Sequence, residues 1–132
     1  MDPWNAWELG RATLALCAVM YAGIWIQVSL FHRAGGFSHR SMYLPVIYTP
    51  LAIAGALAGI VRRDGWWGWI SLGLLGLAVL FGVVGLVLHW KAILSHIGGL
   101  TMRNLIAGPP PILPLTYSLI GLVGITGLLS YG

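Results

Sequence analysis

An all-α membrane protein folded as a four-transmembrane-helix up-down bundle is the class this sequence predicts, and three observations predict it. Hydrophobic residues make up 58% of the 132 and charged residues only 8%, against about 45–50% apolar and ~25% charged in soluble domains. Four apolar stretches are each long enough to approach the ~20 residues that cross a bilayer, and little chain lies between them. Each stretch also carries a stripe of Gly, Ala or Ser at helical spacing, and such stripes let helices approach closely in lipid. Residues 1–132 are therefore expected to form a single integral membrane domain, with no soluble domain besides.

Helix 1 is expected near residues 9–31, behind Trp4 and Trp7, whose indoles suit the headgroup level. The preceding MDPWNAWELGR is acidic and aromatic where a cleaved signal is basic, so the first helix is expected to be retained as an anchor. Arg11 to His32 spans about 31 Å at ~1.5 Å per residue, matching a hydrocarbon core of ~30 Å. Ala15, Ala18, Ala22, Trp25, Ser29 and His32 would share one face. Gln27 is an embedded amide and needs a partner. Cys17 is the only cysteine, so an internal disulfide is excluded and packing is its expected role.

Gly35 and Gly36 in HRAGGFSHR should break helix 1, and helix 2 follows near 43–61. Pro45 suits its first turn, whereas Pro50 should bend it. Gly55 and Gly59 stand at GxxxG spacing. After the turn at Arg62, Arg63, Asp64 and Gly65, helix 3 is expected near 67–97, opened by Trp66, Trp67 and Trp69. Its small face runs Ser71, Leu75, Ala78, Gly82, Gly85, His89, Ala92, His96 before Gly98 and Gly99 stop it. In the connection that follows, Leu100, Met102, Leu105 and Ile106 suit the interface while Arg103 and Asn104 suit water. Pro109, Pro110 and Pro111 stiffen the approach to helix 4, near 112–131, with Ser118, Gly121, Gly124 and Gly127 as small packing positions. His32 and His39 in the first half match His89 and His96 in the second, each pair ahead of a proline-bearing approach, which suggests a tandem two-helix repeat.

The charges divide by side. Counting spans puts His32, His39, His89, His96, Arg33, Arg40, Lys91 and Arg103 at one face with no acid, and Arg11, Arg62 and Arg63 at the other with Asp2, Glu8 and Asp64. This separates every histidine from every carboxylate, so a Ser-His-Asp grouping is excluded and no catalytic residues are assigned. The scattered cations make no nucleic-acid footprint. GGLT at residues 98–101 resembles the helix break of fluoride channels, yet it follows helix 3 instead of interrupting it, and no carboxylate lies mid-membrane. A small transporter or channel therefore ranks last.

Two readings remain. In the first, the chain is a small membrane subunit, in a larger (redox or other) complex or a homo-oligomer, docking through its Gly and Ala faces with Gly82 and Gly85 as the seam, while Gly55, Gly59 and Ala78 are helix-packing positions. In the second, His32 and His89, at equal depth on parallel helices, ligate haem b or a transition metal such as copper or zinc. Arg33, Arg40, Lys91 and Arg103 would then meet haem propionates, and His39 and His96 would serve as secondary metal ligands. The positive-inside rule counts four cations against three and so leans towards a cytoplasmic histidine side.

Overall fold

The computed structural model describes residues 6–96 and 98–129, with side chains except those of Ala6, Trp7 and His96. The expected anchors Trp4 and Trp7, the far end of helix 3 at Ile97, and the end of helix 4 at Tyr131 lie outside these described positions. Among the described residues every regular element is helical: α1 (Ala6–Ala34), a 3-10 turn (Arg40–Met42), α2 (Tyr43–Val61), α3 (Gly65–Lys91), a π turn (Ala92–His96), α4 (Met102–Ala107) and α5 (Leu115–Leu129). α1, α3 and the segment Arg40–Val61 are long and apolar enough to cross a bilayer, while α5 is a shorter apolar helix.

The helices alternate in direction and close into a ring. α1 packs on α2 and α5, and α3 packs on the same two, so α1 and α3 occupy opposite corners. Small residues set these contacts. A Cβ at Gly59 would stand 2.7 Å from Ser71 Oγ and 2.9 Å from Leu14 Cδ1, and one at Gly55 would meet Leu74 Cβ at 2.7 Å. On the other side of α3, a Cβ at Gly82 would meet the Ser118 nitrogen at 2.7 Å and the Pro114 carbonyl at 2.8 Å. The core gathers Leu14, Cys17, Ala18 and Tyr21 with Tyr48, Ala52 and Ala56, and with Leu75, Ala78, Tyr117, Ile120 and Leu128.

The buried face of α1 differs from the expected one. Ala15 is exposed, and Leu14, Cys17 and Tyr21 turn inward because the Cys17 thiol and the Tyr21 hydroxyl donate to the Ile120 and Tyr117 carbonyls of α5 at 3.6 and 2.9 Å. In lipid such polar groups have no water to turn to, so they choose the interior over alanine. α1 is also longer than expected at both ends. Its C-terminus closes as a Schellman cap: Gly36 takes the left-handed conformation (φ +68°), the Phe37 N–H bonds the His32 carbonyl at 3.0 Å, and the Gly36 N–H bonds the Arg33 carbonyl at 2.9 Å.

α3 leaves α-helical geometry at Ala92. The Ser95 hydroxyl donates to the Lys91 carbonyl at 2.5 Å, competing with the backbone donor that an α-helix needs there. The wider turn that results ends with the Gly99 N–H on the Ile93 carbonyl, 3.0 Å, and breaks the 3.6-residue register running from His89 to His96. α5 begins at Leu115, three residues later than expected. Pro114 lacks an N–H and disfavours α geometry at Leu113, so the approach is tightened by i to i+3 bonds from Leu115, Thr116 and Tyr117 to Ile112, Leu113 and Pro114. Between them, in the connection whose apolar residues suit the interface, α4 forms a short helix capped by Thr101 Oγ1 accepting from the Asn104 N–H at 3.1 Å.

Candidate functional site

His32 and His89 lie near one end of the bundle on helices at opposite corners, and both are half-buried. His89 is seven residues beyond Gly82 and continues the face on which Gly82 and Gly85 meet Pro114 at the entry to α5. His32 lies three turns past fully buried Tyr21 on α1. The Tyr21 hydroxyl and a Val79 methyl both approach the Gly121 position, at 3.2 and 3.0 Å. From there His32 and His89 lie about 16 and 15 Å further along their helices at ~1.5 Å per residue.

Each ring is held by local chemistry that the sequence dictates. Phe37, placed by the Schellman cap with its own left-handed backbone (φ +46°), meets the His32 ring edgewise at 6.4 Å and stacks on Tyr43 at 4.3 Å. The Met42 backbone hydrogen-bonds the same ring, while the nearby Ser29 Oγ is buried without a hydrogen-bond partner. His89 is tied to the proline run: a polyproline stretch makes no internal hydrogen bonds, and the Pro110 carbonyl accepts from His89 Nδ1 at 2.6 Å. A carbonyl cannot donate, so Nδ1 carries the proton of this bond.

The other histidines stand apart from this pair. His39 is exposed at the start of the 3-10 turn, 3.5 Å from Ser41 Oγ. The His96 backbone closes the π turn, and its side chain lies outside the described positions. Among the described residues no three of His, Cys, Asp and Glu cluster as a metal site.

Arg33, Arg40, Lys91 and Arg103 are all exposed at the histidine end. Both described acids lie at the opposite end and pair locally, Glu8 with Arg11 at 3.0 Å and Asp64 with Arg62 at 2.9 Å. The hydrogen bond from Arg62 holds the Asp64 carboxyl below the usual carboxylate range, so it stays charged. Two shallow depressions mark the surface. One is lined by Thr13, Leu119, Val123 and Thr126 and the other by Arg103, Asn104, Ala107 and Gly108, and neither takes in His32 or His89.

The small residues expected to pack helices, and the Gly82 and Gly85 seam with them, face this chain itself. Gly55 and Gly59 meet α3, Gly82 meets α5, and a Cβ at Gly85 would stand 2.9 Å from Pro114 Cβ, while Ala78 is fully buried. These positions therefore serve helix packing within the chain. The outward side of α1 is instead lined by Leu16, Val19, Gly23, Gln27 and Leu30, all exposed. A Cβ at Gly23 would meet nothing within 4 Å. Among the described residues no hydrogen bond reaches the Gln27 carboxamide. That amide is the polar group sequence reasoning flagged as needing a partner without saying which way it pointed.

Comparison with protein-family models, with curated proteins and with solved structures finds no match.

Proposed function

We propose that the chain is a small integral membrane subunit that crosses the bilayer four times and associates through the outer face of α1, with a second copy of itself as the occupant. The observation that carries the reading is Gln27, an exposed carboxamide on a helix otherwise apolar enough to span. An amide facing hydrocarbon gains by hydrogen bonding across helices. A carboxamide both donates and accepts, so two Gln27 side chains related by a two-fold axis satisfy each other. Gly23, one turn away, lets the two backbones approach closely. For the fourth span, α5 supplies about 22 Å of helix and the 3-10 turn before it about 6 Å, close to the ~30 Å core. The two helical pairs, α1 with α2 and α3 with α5, suit the tandem repeat suggested by the histidine spacing.

The test is chemical crosslinking and native electrophoresis of the purified protein in mild detergent. The native chain is expected to run as a dimer, and Gln27→Leu and Gly23→Leu to run as monomers with unchanged helix content. A dimer that survives both substitutions refutes this interface, and a heteromeric complex lost in the same variants replaces the second copy by another subunit. The same reading places the histidine end in the cytoplasm by the positive-inside rule. A reporter fused after Gly132 is then expected to be active outside the cytoplasm, and cytoplasmic activity reverses the orientation.

A further inference from the structure

We infer that the connection after α3 binds phospholipid: α4 lies in the headgroup layer at the histidine end, and Arg103 and Lys91 hold the phosphate of an anionic phospholipid there. α4 takes no corner of the ring, yet it is a built element. Gly98 and Gly99, with left-handed backbones (φ +98° and +101°), turn the chain off the axis of α3. Thr101 caps the helix, and Asn104 Nδ2 donates back to the Gly99 carbonyl at 2.7 Å. The connection is also tied to α3 and its π turn on both sides of α4. Before it the Gly99 N–H bonds the Ile93 carbonyl at 3.0 Å, and after it the Pro110 carbonyl accepts from His89 at 2.6 Å. Ile93 and His89 are four residues apart, about 6 Å of helix rise. The chain therefore returns to the level it left and does not run out into water. That is the level of Trp90, half-exposed, whose indole suits the headgroup layer.

The side chains at this level select the partner. Leu100, Met102 and Ile106 are 64, 72 and 78% exposed. Met102 and Ile106 are four residues apart and share one face of α4, which acyl chains at the headgroup boundary would cover. Arg103 follows Met102, is exposed, and lines an open depression of about 420 Å³ with Asn104, Ala107 and Gly108. Lys91 is exposed at the end of α3. Among the described residues no ion pair reaches either cation, and both described acids are at the opposite end, paired with Arg11 and Arg62. An apolar face beside such cations complements a molecule that joins acyl chains to a net negative headgroup. A zwitterionic headgroup would bring its own ammonium towards these cations with no carboxylate nearby to offset it. A soluble anion would engage the cations and leave the face of Met102 and Ile106 uncovered, so the phosphate is assigned to lipid.

The inference rests on the chain spanning a bilayer and is independent of the α1 dimer. Its test is native mass spectrometry of the purified full chain offered equal amounts of phosphatidylglycerol and phosphatidylcholine. The native chain is expected to retain phosphatidylglycerol in preference, and Arg103→Gln and Lys91→Gln each to lower that retention about fivefold, the worth of one cation near a charged lipid surface. Arg103→Lys keeps the charge and should keep most of the retention, and Arg62→Gln at the opposite end should leave it unchanged, which separates loss of charge from loss of fold. Equal retention of the two lipids overturns the site, as does undiminished preference in the Arg103→Gln/Lys91→Gln double variant. Excess inorganic phosphate should not displace the lipid, and displacement reassigns the cations to a soluble anion. The level of α4 is read separately, from an environment-sensitive dye attached through Ile106→Cys in nanodiscs. Quenching by lipid-borne nitroxides and not by aqueous iodide is expected. Iodide quenching of that dye, beside nitroxide quenching of one attached through Leu80→Cys in α3, overturns the inference while leaving the membrane-spanning reading in place.

Discussion

At Trp25 a single hydrogen bond repairs the break that a proline makes in the neighbouring helix. Pro50 lies inside α2 and has no N–H for the Val46 carbonyl four residues earlier. The Trp25 indole donates to that carbonyl at 2.9 Å. The sequence announced the defect at Pro50 but not its repair, because nothing local to Trp25 says which carbonyl on another helix lacks a donor. Trp25→Phe is expected to destabilise the fold by about 0.6–1.5 kcal/mol, the usual worth of one such bond. In a Pro50→Ala background the restored backbone N–H takes over and most of that cost should vanish. Reversible unfolding in detergent across the four-member cycle measures the coupling, and equal costs in both backgrounds would show the bond to be energetically idle.

Among the elements, the stripes of α3 and α5 were legible because small residues repeat there without competition. Ser71, Leu75, Ala78 and Gly82 are buried, and so are Ser118, Gly121, Gly124 and Gly127. α1 was misread by part of a turn, since alanine counts alone ignored that Cys17 and Tyr21 have polar atoms to place. The π turn and the cap of α4 depend on single hydroxyls, Ser95 and Thr101, whose partners are local but whose competition with the backbone is not visible in hydrophobic periodicity. The glycines of α3 separate cleanly by neighbour. Gly82→Ala forces a methyl group against the backbone of α5 and is expected to cost about 1–3 kcal/mol by overpacking. Gly73→Ala has nothing within 4 Å and is expected to be neutral or stabilising by up to about 1 kcal/mol through helix propensity. Thermal unfolding of the two variants side by side decides this, and a Gly82→Ala protein as stable as Gly73→Ala would mean that α3 and α5 are not in contact there.

Over the whole molecule, the sequence could place His32 and His89 at one end because span length and helix rise fix depth by counting alone. It could not say which neighbour each ring meets, Phe37 for His32 and the Pro110 carbonyl for His89, which depends on the helix rotations that the tyrosine, cysteine and glycine contacts set. Charge separation was legible for the same reason as depth: the described acids stay with Arg11 and Arg62, and the cations of the histidine end have no carboxylate nearby.

The late start of α5 makes the molecule unequal around its circumference. Up to Leu129, the last described residue, α5 offers about 22 Å of regular helix and the 3-10 turn before it about 6 Å, where the 27 residues of α3 offer about 40 Å. A bilayer that matches α3 is too thick for this corner, so there the shell of lipid is compressed beside α5 or the bundle leans towards that side. Either response has a modest cost for each ångström of mismatch and grows as the acyl chains lengthen. Reconstituted into a series of bilayers of increasing chain length, the protein should therefore be most stable at thicknesses below the ~30 Å typical of membranes. A stability that keeps rising into the thickest bilayers would show that the fourth corner is not exposed to lipid. The three residues by which the prolines delay α5 thus become a property of the surrounding membrane: they give this small bundle a thin side, and with it a preference for where in a heterogeneous bilayer it resides.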